Sequence, residues 1–172
     1  MTQVALIHED TGMVKFVAAA DETREAVGPW SVIEAVPAAP FKADAWERIK
    51  LARGEAMQDN VIVPGILEDD GDAEFQLRPA NAGELSGYDF IMGRWSRALV
   101  VLAADGDFTR AFTLADNRTM VFDAAQWLLI GDHIELVLGQ RFARALVLKA
   151  RIDAATTKAA LDAITWTLED PE

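Results

Sequence analysis

Residues 116–166 decide the reading of this chain: they open DNRTMVFDAAQW (116–127), run through an amphipathic segment, and close LKARIDAATTKAALDAITW (148–166). Asp123 precedes the periodic region and Gln126 lies three residues on, the spacing of a capping box at a helix N-terminus. Trp127, Ile130, Ile134, Leu138, Phe142, Ala145, Leu148 and Ile152 then recur every three or four residues, the repeat of one buried helical face. A helix unbroken to Ile152 would be roughly 45 Å long at about 1.5 Å per residue. Gly131 and Gly139 interrupt it, each costing roughly 1 kcal/mol against alanine. Asp132 and Glu135 in its first half, with Arg141, Arg144, Lys149 and Arg151 in its second, complement the helix dipole. Thr156 and Thr157 are each able to cap a short helix over 158–164. Leu161 and Ile164 share a face of it, and Trp166 follows as an apolar anchor. This predicts a helical hairpin, the short helix folding back on the long one.

Working upstream, 108–115 and 119–122 flank Asp116, Asn117 and Arg118 and predict a β-hairpin. The run 96–104 reads as helix. Residues 61–65 and 74–77 are β-like, with an acidic turn at 68–72 between them. Asp44 with Glu47 forms another capping box, opening a helix over 45–57 with Trp46, Ile49 and Ala56 on its apolar face. At the start, 3–8 and 13–17 predict a second hairpin, and 30–36 a third strand. Pro37 and Pro40 bracket a stretch that proline stiffens against both helix and ladder. The expected fold class is α+β. A small β lobe spans 1–36, a proline linker 37–42, and an α+β domain 43–168 carries a helix, hairpins, the long helix and its short return.

Composition bounds the function. The chain is 51% hydrophobic over 172 residues, enough to bury a real core, and its formal net charge is −12. That charge repels phosphate backbones and anionic membranes, so nucleic-acid binding is not expected. No apolar run reaches the length of a membrane span, so no membrane insertion is expected either. The absence of cysteine excludes disulfides, thiolate metal sites and cysteine nucleophiles. The opening MTQVALIHED lacks a basic n-region and a long apolar stretch, so no signal peptide is expected.

No catalytic constellation emerges. His8 and His133 are the only histidines; Asp132 and His133 point different ways on a helix, and no second histidine stands at i+4. Asp69, Asp70, Asp72 and Glu74 offer carboxylates to a hard cation, but not at the spacing of a twelve-residue calcium loop. Ser31, Ser86 and Ser96 lie outside any G-x-S-x-G elbow. Gly83, Gly87 and Gly93 are too widely spaced for a phosphate loop. Four of the five tryptophans suit core or anchoring positions; Trp95, beside Arg94, is the exception. The expectation is a protein that is not an enzyme and needs no cofactor.

Some of these residues carry a resemblance. Trp46, Ile49, Lys50 and Arg53, then Ser96 and Arg97 in the 96–104 run, then Asp116, Asn117, Trp127, Ile164 and Trp166 together resemble a bacteriophage domain family of unknown function, found in tail-fibre and tail-assembly proteins. It covers about three quarters of the chain and breaks over 66–95, where the family has a shorter turn and an aspartate-rich strand end. The family usually has a tryptophan at or near Phe112, and phenylalanine keeps a large aromatic there. The opening ALIHEDTGMVKFV (5–17) is also similar to the N-terminal hairpin of phage tail-fibre proteins. These are packing motifs, so they speak to fold better than to mechanism.

The resemblance implies a non-enzymatic structural or adaptor component of a phage tail, assembled in the bacterial host cytoplasm and residing in the virion. Its partners would be other tail or fibre proteins. Leu128, Leu136, Val137 and Leu146 widen the apolar surface of the long helix beyond what a short returning helix covers, which points to a homo-oligomer. The threefold symmetry of tail fibres makes that a trimer. The alternatives are a fibre-assembly chaperone absent from the mature virion and a carbohydrate-binding host-recognition module. Because no metal is expected, thermal melts in chelator and in added calcium should coincide. A calcium-dependent rise in melting temperature would instead make the 69–74 turn a binding site.

Overall fold

A computed structural model describes residues 3–8, 10–11, 13–18, 30–33, 36–68, 71–79, 84–104 and 106–167. It is an α+β fold. In order come β1 (Gln3–His8), β2 (Val14–Ala18), β3 (Trp30–Ile33), a 3-10 turn (Ala39–Phe41), α1 (Lys42–Ala56), β4 (Val61–Val63), β5 (Ala73–Phe75), α2 (Gly87–Ala103), β6 (Thr109–Thr113), β7 (Thr119–Asp123), α3 (Ala124–Ala154) and α4 (Lys158–Asp162). The strands form antiparallel sheets in the orders β2-β1-β3, β4-β5 and β6-β7. The chain gathers into two compact units, Met1–Ala52 with Arg144–Glu172, and Arg53–Ala143.

In the first unit, Ala45, Ile49, Leu148, Ile152 and Leu161 form a buried cluster against which Phe41, Trp46, Ile164 and Trp166 pack. The Pro37–Pro40 stretch takes part in this unit: Pro37 bridges Thr157, Ala38 is buried and its N–H donates to Thr156 O at 3.0 Å. Thr157, not Thr156, caps α4, accepting from Ala160 N at 3.2 Å. Buried Arg144 donates from Nε to Thr167 O at 3.0 Å, anchoring the segment after α4.

The second unit is built around aromatic rings. Phe75 lies 5.5 Å from Phe112 and 5.8 Å from Phe122, and Trp127 meets Phe112 and Phe122 edge-on at 5.9 and 5.5 Å. Each such pair is worth about 0.5–1.5 kcal/mol beyond its buried area. The two hairpins are tied where Ala115 N donates to Glu74 O at 2.9 Å. In the β6–β7 turn Asn117 has φ 67°, a left-handed conformation that asparagine tolerates better than most residues. Asp116 accepts there from Arg118 N at 2.9 Å and Arg118 Nε at 2.6 Å. The backbone bond, then the side-chain bond, holds its carboxyl below the usual aspartate value.

Several expectations shift. The capping box at Asp123 and Gln126 is present: Gln126 N donates to Asp123 Oδ1 at 2.8 Å and Asp123 N to Gln126 Oε1 at 3.0 Å. The box at Asp44 and Glu47 is not the helix start. Pro40 pre-sets helical φ in the 3-10 turn, so α1 begins at Lys42 and Asp44 falls within its first turn. The helix expected over 96–104 begins at Gly87, because Ser86 Oγ accepts from Asp89 N at 3.1 Å and caps it there. The third strand ends at Ile33, and residues 34–35 lie outside the described ones.

Phe142, expected in the buried face of α3, is 49% exposed, while Arg141 is 6% exposed. Arg141 gathers carbonyls at and just past the end of α1, reaching Ala56 O at 2.5 Å, Asp59 O at 3.3 Å and Asn60 O at 3.4 Å. A guanidinium so placed takes the core-facing position, and Phe142 is turned aside to stack with Arg53 at 5.4 Å.

Gly131 is explained by Trp95. A Cβ built on Gly131 would sit 2.2 Å from Trp95 Cδ1, so the indole occupies the space a side chain would need. Trp95 Nε1 then donates to Asp132 Oδ1 at 2.9 Å. Gly139 has nothing within 4 Å of such a Cβ. The two glycines should therefore respond oppositely to alanine in urea unfolding. Gly131→Ala should lower stability by about 1–3 kcal/mol through overpacking, and Gly139→Ala should raise it by up to about 1 kcal/mol.

Candidate functional site

The second unit contains a groove of about 600 Å³. Four residues of α3 line it, Glu135, Leu138, Gly139 and Phe142; their i, i+3, i+4, i+7 spacing puts them on one helical face. Met57, just past α1, and Leu77, just past β5, add apolar wall. Ser86 and Tyr88, from the start of α2, bring polar groups to the same groove. Each is placed by a local rule already described. Arg141, on the adjacent helical position to Phe142, holds the end of α1 that leads to Met57, and the Ser86 cap sets where Tyr88 enters the first turn of α2.

The groove's polar centre is one pair. Tyr88 Oη donates to Glu135 Oε1 at 2.7 Å. That bond to Glu135, with burial second and the Glu135 and Asp89 charges after it, raises the phenol above its ordinary value of 10.0. The phenol is a donor held to one carboxylate oxygen, and Oε2 lacks a partner among the described residues. Ser86 Oγ is occupied, donating to Asp89 Oδ2 at 2.6 Å while it caps α2. The lining set offers apolar contact, one anion and a few hydrogen-bonding groups, which is binding chemistry.

The residues singled out from the sequence lie elsewhere or at the groove's margin. Trp46, Ile49, Ile164 and Trp166 belong to the first unit's core, and Lys50 Nζ pairs with Glu47 Oε1 at 2.5 Å on its surface. Trp127 is fully buried in the second unit; Ser96 and Arg97 are exposed on α2; Asp116 and Asn117 make the β6–β7 turn. Arg53, stacked on Phe142, touches a groove residue. In the acidic turn, residues 69–70 lie outside the described ones. Asp72 Oδ1 accepts from Gly65 N at 3.1 Å, and Glu74 Oε1 from Asn60 Nδ2 at 2.9 Å. Among the described residues no group of three or more His, Asp or Glu is placed to hold a metal ion, and no helix is long and apolar enough to cross a membrane. Sequence reasoning missed Tyr88 and Glu135, which are 47 residues apart. The one available signal was Gly139, a helix-interior glycine.

Tyr88 is the only tyrosine in the chain, so phenolate absorbance reports it alone. Its titration midpoint should lie above 10.0, and Glu135→Gln should bring it back toward that value. A raised folded-state value means the pair stabilises the fold fully below pH 10.0, and the contribution fades as pH climbs through the folded midpoint. Tyr88→Phe should cost at most about 0.5–1 kcal/mol at pH 7 in urea melts, because the bond is solvent-exposed and screened. A midpoint at or below 10.0 would mean the pair does not form in solution.

No curated protein and no solved structure matches this chain. A family model does match, over residues 40–165, under the description "Domain of unknown function (DUF4376)". The match takes in α1 to α4, both groove-lining helices and the 66–95 segment, and the chain belongs to the DUF4376 family.

Proposed function

We propose that this protein is a non-enzymatic assembly component of a bacteriophage tail, associated with the tail fibre and acting through protein–protein contacts. The observation that carries the assembly role is the outer face of α3. In the second unit Leu129 and Leu136, seven residues apart, are 62% and 58% exposed, on the side of the helix away from buried Ile130 and Ile134. Ala125 and Ala143 are exposed on the same side. This Leu/Ala stripe offers one apolar position per heptad to a partner helix, with Asp132 and Gly139 between the leucines and Ala143. Leu128 and Val137, expected to widen the apolar surface, instead pack against the core. Leu136 and Leu146 are exposed as expected.

The phage setting comes from the resemblance carried by Trp46, Ile49, Arg53, Ser96, Arg97 and the 116–166 stretch. Tail fibres are threefold, so a homotrimer with other tail or fibre proteins as partners is the form proposed, in the virion after assembly in the host cytoplasm. Light scattering at several concentrations should give a mass above the monomer. Leu129→Lys with Leu136→Lys should return it to the monomer without lowering the melting temperature, since both side chains are solvent-facing. Mass spectrometry of purified particles should find the chain. A strict monomer that is also missing from particles would overturn the proposal and favour a fibre-assembly chaperone.

A further inference from the structure

We infer that the groove between α2 and α3 in the second unit receives an extended segment of a partner protein that carries a lysine or arginine beside an aliphatic side chain. The inference rests on the reading of this chain as an assembly module and names the chemistry of what that module grips.

Three observations lead to it. The groove is lined by aliphatic and aromatic groups, Met57, Leu77, Leu138 and Phe142, with a single carboxylate, Glu135, and no cation. Tyr88 donates to Oε1 of that carboxylate, leaving Oε2 without a protein partner among the described residues. Glu135 is solvent-exposed, so that oxygen is open to a partner, and a carboxylate beside an apolar wall suits a long side chain that is apolar along its stem and cationic at its tip.

The second observation is Gly139. Its backbone is helical, its missing side chain would meet nothing within 4 Å, and it lines the groove. Gly131, on the same helix, is needed because Trp95 fills its place. Gly54 and Gly93 are helix-interior glycines with equally open surroundings, so what sets Gly139 apart is that it lines the groove and keeps that wall low. A low wall lets a partner backbone come near.

The third is long-range. The chain carries a formal net charge of −12, which attracts basic segments and steers them toward the protein. The acidic field and the Glu135 carboxylate select for the same sign of partner.

The test is a titration of the full-length, isotope-labelled protein with acetyl-Leu-Lys-Leu-amide, followed by backbone amide shifts. The shifts should concentrate on Tyr88, Glu135, Leu138 and Gly139. Binding should weaken about tenfold in Glu135→Gln, the scale of one charge-assisted contact, and about as much for acetyl-Leu-Glu-Leu-amide on the unaltered protein. Gly139→Leu, which fills open space on a helix and so keeps the fold, should abolish it. Equal binding of the lysine and glutamate peptides, shifts centred elsewhere, or no binding at millimolar peptide would each overturn the inference. So would groove shifts that appear on raising the protein concentration alone, which would make a second copy the occupant. Because the titration reads the groove directly, its failure is separable from a failure of self-association or of particle incorporation.

Discussion

The second unit depends on a junction with no loop in it. β7 ends at Asp123 and α3 begins at Ala124, so a strand becomes a helix within one peptide unit. The helix's first N–H groups would be orphaned there, and the reciprocal bonds between Asp123 and Gln126 satisfy two donors at once. Gln126 also donates from Nε2 to Ile66 O at 3.2 Å, tying the same cap to the segment after β4. With the junction held, Phe122 on the strand and Trp127 on the helix are locked at 5.5 Å, and the aromatic cluster assembles around them. A cap is typically worth about 1 kcal/mol. Its larger effect is to set the rotation of α3, and with it which residues line the core, the groove and the outer stripe.

Two buried arginines do comparable work farther along α3. Burying a guanidinium is costly unless its donors are met. Arg141 meets them at its two terminal nitrogens, with carbonyls at and just past the end of α1, while its Nε is buried without a hydrogen bond; Arg144 bonds to Thr167 beyond α4. In each case a cation on a regular helix closes off a segment that has no ladder of its own. These contacts are directional where hydrophobic burial is not, so they specify which loop meets which turn of the helix.

The groove follows from that arrangement. Its α3 wall is the face adjoining the Arg141 position, and its opposite side is the first turn of α2, entered through Ser86. It has the character of a recognition surface: apolar, shallow in polar groups and anionic. The outer stripe of α3 is a separate surface in the same unit, so one helix serves the core on one side and leaves two other faces exposed.

The α+β class, the β6–β7 hairpin, the extent of α3 and a threonine cap at 156 or 157 were all legible in the sequence, because each depends on spacing within a few residues. Apolar periodicity and capping side chains are local physics, and distant contacts overrule them at few positions, Phe142 among them. What the sequence by itself determined about this protein is therefore its helices, its turns and most of its buried face. Tertiary structure decided the rest. That Arg141 is buried and Phe142 exposed depends on carbonyls at residues 56–60, which no helical periodicity contains. That Gly131 is required depends on Trp95, and that Tyr88 and Glu135 form a site depends on α2 starting at Gly87. Each joins groups more than thirty residues apart in the chain. Such contacts arise from how elements pack, where burial and unmet hydrogen-bonding groups choose partners regardless of sequence distance.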